Sequence, residues 1–184
     1  MTAYHHADQI YANRRKTNHL QQSLVLALQE FNSVKTILLK SGEENIDMHR
    51  KIAFRLSQIE VEMTYLPSKL QEKQSHMDKA REFLREATYA ARMMNKMDVV
   101  DQIRFERCCM EGRGMELKAK RNVNGQKVAA GTEFAMEQIK VAMQMLERSN
   151  PSIYQENREY GKAWLKRLRH LLSTAFSTPI VTDR

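Results

Sequence analysis

The chain of 184 residues is predicted to be all-α, built of antiparallel helix hairpins stacked as a short array or bundled together. Two observations lead there. Apolar residues recur every three or four positions along most of the length, the period of an amphipathic helix. Glycine and proline are also scarce, six and three in the whole chain. A β-rich fold needs turn residues every eight to twelve positions, which this composition does not supply. An apolar content of 42% is ordinary for a folded domain and argues against wholesale disorder.

Residues 1–16 are read as an N-terminal arm, either separate or a helical extension of the first helix, residues 17–176 as one domain, and 177–184 as a tail. The first periodic stretch runs from about Thr17 to Lys40, with Leu20, Leu24, Ala27, Leu28, Phe31, Val34 and Leu38 on one stripe. Lys40-Ser41-Gly42 supplies a cation for the last turn and a glycine stop. The second spans about Asn45 to Tyr65, carries Ile52, Leu56, Ile59 and Met63, and is closed by Pro67. A polar connection, Ser68 to His76, leads to a third helix reaching about Met94, with Met77, Ala80, Leu84, Ala87 and Ala91 on one face. The fourth, about Met97 to Arg121, opens near Asp98 and ends in Lys118, Lys120 and Arg121, charges that suit the helix dipole. Asn122 to Gly131 is the most loop-like stretch. The fifth helix covers about Thr132 to Glu147. The sixth starts with Asn150 as cap and Pro151 at its first position, and continues to about Thr174.

Two of these helices repeat one another. Residues 79–87, with Ala80, Glu82, Leu84, Arg85 and Ala87, align without gaps over residues 134–142, with Ala135, Glu137, Ile139, Lys140 and Ala142; Lys79 lies over Phe134. The preceding helices align as well, Ile52, Phe54, Ile59 and Leu66 over Ile103, Phe105, Met110 and Leu117. The resulting Ala-x3-[Leu/Ile]-x2-Ala signature resembles the second helix of a tetratricopeptide repeat, over roughly residues 46–148. Gly112 falls late in the fourth helix, near a small residue of that repeat's first helix. The resemblance implies a right-handed TPR-like stack of hairpins whose concave face binds peptide segments. It also makes the first and sixth helices caps.

Function classes narrow by what the residues do not supply. His5 and His6 stand near the N-terminus without a carboxylate or cysteine at ligand spacing, and His19, His49, His76 and His170 are scattered, so neither a metal nor another cofactor is expected. Gly112-Arg113-Gly114 lies inside a helical pattern and lacks the rest of a phosphate loop. No shaped turn presents a catalytic serine or cysteine, and Cys108 and Cys109 read as small buried residues. Adjacent cysteines on a helix cannot bridge without strain, which suits a reducing compartment, cytoplasmic or nuclear. No apolar run is long enough for a transmembrane segment.

The leading expectation is therefore a non-catalytic protein–protein interaction module or scaffold that binds a peptide segment or acidic surface of another protein. Arg81, Arg85, Lys140 and Gln144 are its candidate partner-binding residues. A formal charge of +8 makes nucleic acid or another anionic surface the alternative, although no nucleic-acid-reading motif is present. A cationic cluster at Lys118, Lys120, Arg121 and Lys127 belongs to that reading or simply complements a helix dipole. The sixth helix carries Tyr160, Trp164, Leu168, Leu171 and Ala175 on one stripe, widened by Leu165, Leu172 and Phe176 and surrounded by Arg158, Lys162, Lys166, Arg167 and Arg169. It is either a cap sealing the stack or an amphipathic ligand helix for an acidic groove or membrane surface. A small helical enzyme or biosynthetic accessory, and self-association through the twelve methionines, complete the expectations.

Overall fold

A computed structural model describes residues 3–14, 19–41, 45–121 and 124–177. The protein is all-α: among the described residues there are seven helices and no strand. They are α1 (Ala3–Asn13), α2 (Leu20–Ser41), α3 (Ile46–Met63), α4 (Leu70–Met93), α5 (Met97–Ala119), α6 (Gly125–Ser149) and α7 (Pro151–Ser177). Arg15 and Lys16 of the expected arm, Thr17, the stop at Gly42, Asn122 and Val123 of the expected loop, the tail beyond Ser177, and the side chains of Ala175 and Phe176 lie outside the described residues.

Two expected boundaries move. The polar connection 68–76 is mostly helix, because α4 begins at Leu70. Its Gln, Glu and Lys residues favour helix, and Leu70 stands two turns from buried Met77 on the same face. Likewise Gly125 to Gly131 are helical, although they read as loop. The Asn124 side chain accepts from the Gln126 backbone N–H at 2.9 Å and starts α6 there, and Val128, Ala129 and Thr132 are buried.

The chain divides into two compact units, Met1–Ile103 and Arg104–Arg184, where a single domain over 17–176 was expected. The division falls inside α5, so no linker of glycine, proline or serine marks it in the sequence.

In the first unit α1 and α2 form one hairpin and α3 and α4 a second. Tyr4 of α1 meets Phe31 of α2 edge to face, with ring centroids 5.7 Å apart. Helix α1 runs parallel to α3: Arg55 pairs with Asp8 at 2.8 Å, and further along both helices Tyr11 donates to Glu62 at 3.0 Å while Arg14 Nε reaches its second oxygen at 2.6 Å. The N-terminal segment is thus docked along α3. Between α3 and α4, His76 Nδ1 lies 2.5 Å from Oε2 of the buried Glu60. Helix α4 ends in a Schellman turn. Asn95 takes φ of 55°, its N–H reaches Arg92 O at 2.9 Å and the next N–H reaches Ala91 O at 3.0 Å.

In the second unit, residues 104–119 of α5 and α6 are antiparallel: Gly131 lies against Met115, and Arg104 Nη1 comes to 2.8 Å from Met145 Sδ. Helix α7 folds back on α6 from the Asn150 cap, whose side chain accepts from Ile153 N–H at 3.2 Å. It consequently runs parallel to α5.

One buried pattern recurs across the chain. On α2 it is Leu24, Ala27, Phe31, Val34 and Leu38; on α4, Met77, Ala80, Leu84, Ala87 and Ala91; on α6, Thr132, Ala135, Ile139, Ala142 and Leu146. The spacing is the same each time, the second position is alanine each time, and every one of these side chains is buried except the half-buried Leu38. Alanine at that point admits the backbone of a neighbouring helix, while Phe31, Leu84 or Ile139 one turn on fills the space beside it.

Candidate functional site

The sequence-derived candidates fall in both units, Arg81 and Arg85 in the first and Lys140, Gln144 and the cationic cluster in the second. Arg81 and Arg85 stand one turn apart on α4. Arg81 is half-buried and donates to Asp78 at 2.7 Å, whereas Arg85 is exposed. Lys140 and Gln144 are exposed on α6 in the second unit, and Lys140 pairs with Glu137 at 3.2 Å. Lys118, Lys120 and Arg121 are exposed at the C-terminal end of α5. Lys127, also exposed, belongs to the first turns of α6 and not to a loop.

Helix α7 shows why its sequence was ambiguous. Trp164 and Leu168 are buried, with Trp164 only 2% exposed, in a core with Phe105, Cys109 and Ile139. Its apolar stripe is occupied inside the unit and is not presented as a ligand helix; Tyr160, the first residue of that stripe, is half-open and stands edge to face with Phe105 and Trp164. Arg167 is occupied too. Its Nε and Nη2 donate to the two Glu116 oxygens at 2.9 and 2.8 Å, and its guanidinium lies 4.4 Å over the Trp164 ring. Glu116 in turn accepts from the buried Arg113 at 2.7 Å. A carboxylate shared by two guanidiniums ties α7 to α5.

The other cations of α7 face outward. Arg158, Lys162, Lys166 and Arg169 are all exposed, and at about 100° per residue they fall within an arc of about 80°. Trp164 lies on the opposite side. Glu159 is the acid beside them, bonded to Lys162 at 2.8 Å, and that lysine holds its carboxyl below the usual range. Among the described residues Arg158, Lys166 and Arg169 enter no salt bridge.

A second exposed feature was missed in the sequence. On α6, on the side away from the buried stripe, Phe134 is 67% exposed and Val141 40% exposed; exposed Ala130 and half-buried Met145 share their face. Lys127 and Arg148 lie near the two ends of this strip. The available signal was the repeat itself, since Phe134 takes the place of Lys79. A large apolar residue outside the buried register has no packing reason to be there.

Among the described residues no three His, Cys, Asp or Glu side chains come together as a metal would require. Burial raises the Cys108 thiol pKa, with Arg107 and Arg104 opposing, and raises that of Cys109 further, so neither is an activated nucleophile. Among the described residues no helix is long and apolar enough to cross a membrane.

Helical hairpins carrying outward apolar and basic strips define the class: an all-α protein. Comparison with protein-family models, curated proteins and solved structures returns no match for this chain.

Proposed function

We propose that the protein is a non-catalytic interaction module, tetratricopeptide-like in its hairpins, that binds a peptide segment of a partner protein through α6. The observation that carries this is Phe134, a large aromatic side chain held in solvent on a regular helix. Aromatic anchors supply much of the free energy at protein interfaces, and the centre of such patches is depleted in charge. Ala130, Phe134, Val141 and Met145 present apolar anchors of this kind, bordered by exposed Glu137 and Gln138, with cations Lys127 and Arg148 near the ends of the strip. The complementary ligand is a short segment with apolar anchors and acidic flanks. The recurring buried pattern of α2, α4 and α6 supports the repeat-like character of the scaffold.

A displayed peptide library selected on the wild-type protein and counter-selected on Phe134→Asp tests this. Enrichment of apolar segments with acidic flanks that is lost on the variant is the expected result. No enrichment over a blank surface, with both proteins folded, overturns the proposal.

A further inference from the structure

Charge is unevenly divided between the two units. Residues 104–184 hold fifteen Lys+Arg against nine Asp+Glu, while residues 1–103 hold fifteen against thirteen. Most of the chain's positive excess thus belongs to the second unit, and α7 concentrates it in one line. Arg158, Lys162, Lys166 and Arg169 span twelve residues, or eleven rises of 1.5 Å and about 16 Å of helix. Between positions 155 and 173, Gln155 and Ser173 complete their arc, so it carries no apolar side chain.

We infer that this ridge binds the phosphate backbone of a nucleic-acid duplex, independently of base sequence. The geometry discriminates among polyanions. Stable membrane adsorption of a helix needs an apolar face to insert, and that of α7 is committed to Trp164 and Leu168 inside the core. Single strands are held by stacking on aromatic rings, and Tyr160 points away from the edge of the arc by about a third of a turn. A protein ligand draws on an apolar centre, which this face lacks and the α6 strip has. A duplex backbone needs only cations repeated along a line. Spacings of four, four and three residues place them about 4.5–6 Å apart along the axis. Phosphate contacts of this kind position a duplex without reading bases.

Titration of labelled 20-base-pair DNA and RNA duplexes with the full chain, followed by fluorescence anisotropy, tests the inference. Four phosphate contacts predict a fall in affinity of about 150-fold between 50 and 200 mM salt. Replacing Arg158, Lys162, Lys166 and Arg169 together by glutamine should flatten the slope of log affinity against log salt by about 3.6. Exchanging lysine and arginine at the same four positions should preserve binding. Unrelated duplex sequences should bind alike. The inference is overturned if neither duplex binds at 50 mM salt, if the glutamine variant binds like wild type, or if anionic vesicles or an acidic helical peptide bind more tightly than either duplex.

Discussion

Gly112 of α5 lies so close to the indole of Trp164 on α7 that a Cβ built on it would stand 3.2 Å from Cε3, and 3.3 Å from Leu168 Cδ1. A helix-interior glycine costs about 1 kcal/mol relative to alanine. Here it lets two parallel helices approach around the largest buried side chain of the unit. Gly161 does the same from the other helix, its missing Cβ facing Met143 and Phe105.

Two variants probe this contact from opposite sides. Trp164→Ala leaves a cavity in a fully packed core and should cost about 3–5 kcal/mol. Gly112→Val overfills the same space and should cost roughly 1–3 kcal/mol, despite removal of the glycine. Urea denaturation measures both. A Trp164→Ala protein as stable as wild type would mean that α7 does not close the second unit.

Asn95 supplies a third test, in the first unit. Its φ of 55° is a conformation in which a β-carbon is crowded, and asparagine tolerates it better than most residues. Asn95→Ala should therefore destabilise by about 1 kcal/mol, and Asn95→Gly should be neutral or slightly stabilising. Replacing a solvent-facing position of α4 such as Arg85 by alanine should do neither. Thermal melts of the three variants decide it.

Asp47 gives the acid limb of the pH profile. Burial raises its carboxyl pKa, but hydrogen bonds and charge from Lys51 and Arg50 outweigh this and hold it down to about 2. Lys96 lies 3.4 Å away beyond the end of α4, so the carboxylate also joins the two ends of the α3–α4 hairpin. The folded pKa lies below the unfolded value of 3.8, so the stabilisation is complete above 3.8 and is lost as pH falls through about 2. Urea midpoints of wild type and Asp47→Asn should differ at pH 5 and converge toward pH 2. A constant difference across that range would contradict the assignment.

How much of this was legible depended on the kind of signal. The apolar stripes of α2, α4 and α6 were readable because helical burial repeats every three to four residues, and Asn150-Pro151 because a cap and a fixed φ coincide. The start of α4 was hidden because Gln71 to Gln74 carry no apolar period, although their propensity favours helix. Gly125 and Gly131 disguised the first turns of α6, where Gly131 lies against the Met115 side chain. The role of α7 was undetermined for a different reason: one amphipathic pattern serves a cap and a ligand helix equally. Only the burial of Trp164 and the Arg167–Glu116 pairing separate them. That separation leaves the outward cations as the face of interest.

Toward α3, Glu62 holds the end of α1 by accepting from the Tyr11 hydroxyl and from Arg14, beside the Asp8–Arg55 pair and the Tyr4–Phe31 contact with α2. Burial, with Glu62 beside it, raises the Tyr11 phenol pKa, so the hydroxyl remains a donor throughout the neutral range. On the arginine side, burial opposes the charge, but the Glu62 hydrogen bond raises the pKa and keeps the guanidinium charged. Glu62→Gln removes the carboxylate while conserving shape, and should cost roughly 1–3 kcal/mol, as expected for hydrogen bonds to a charged group. Because that cost falls on one docked helix, hydrogen exchange should quicken in Ala3–Asn13 while α3 and α4 keep their protection. Uniform loss of protection through the first unit would instead make α1 part of one cooperative fold. Unchanged exchange in α1 would place its anchoring in the Tyr4–Phe31 contact.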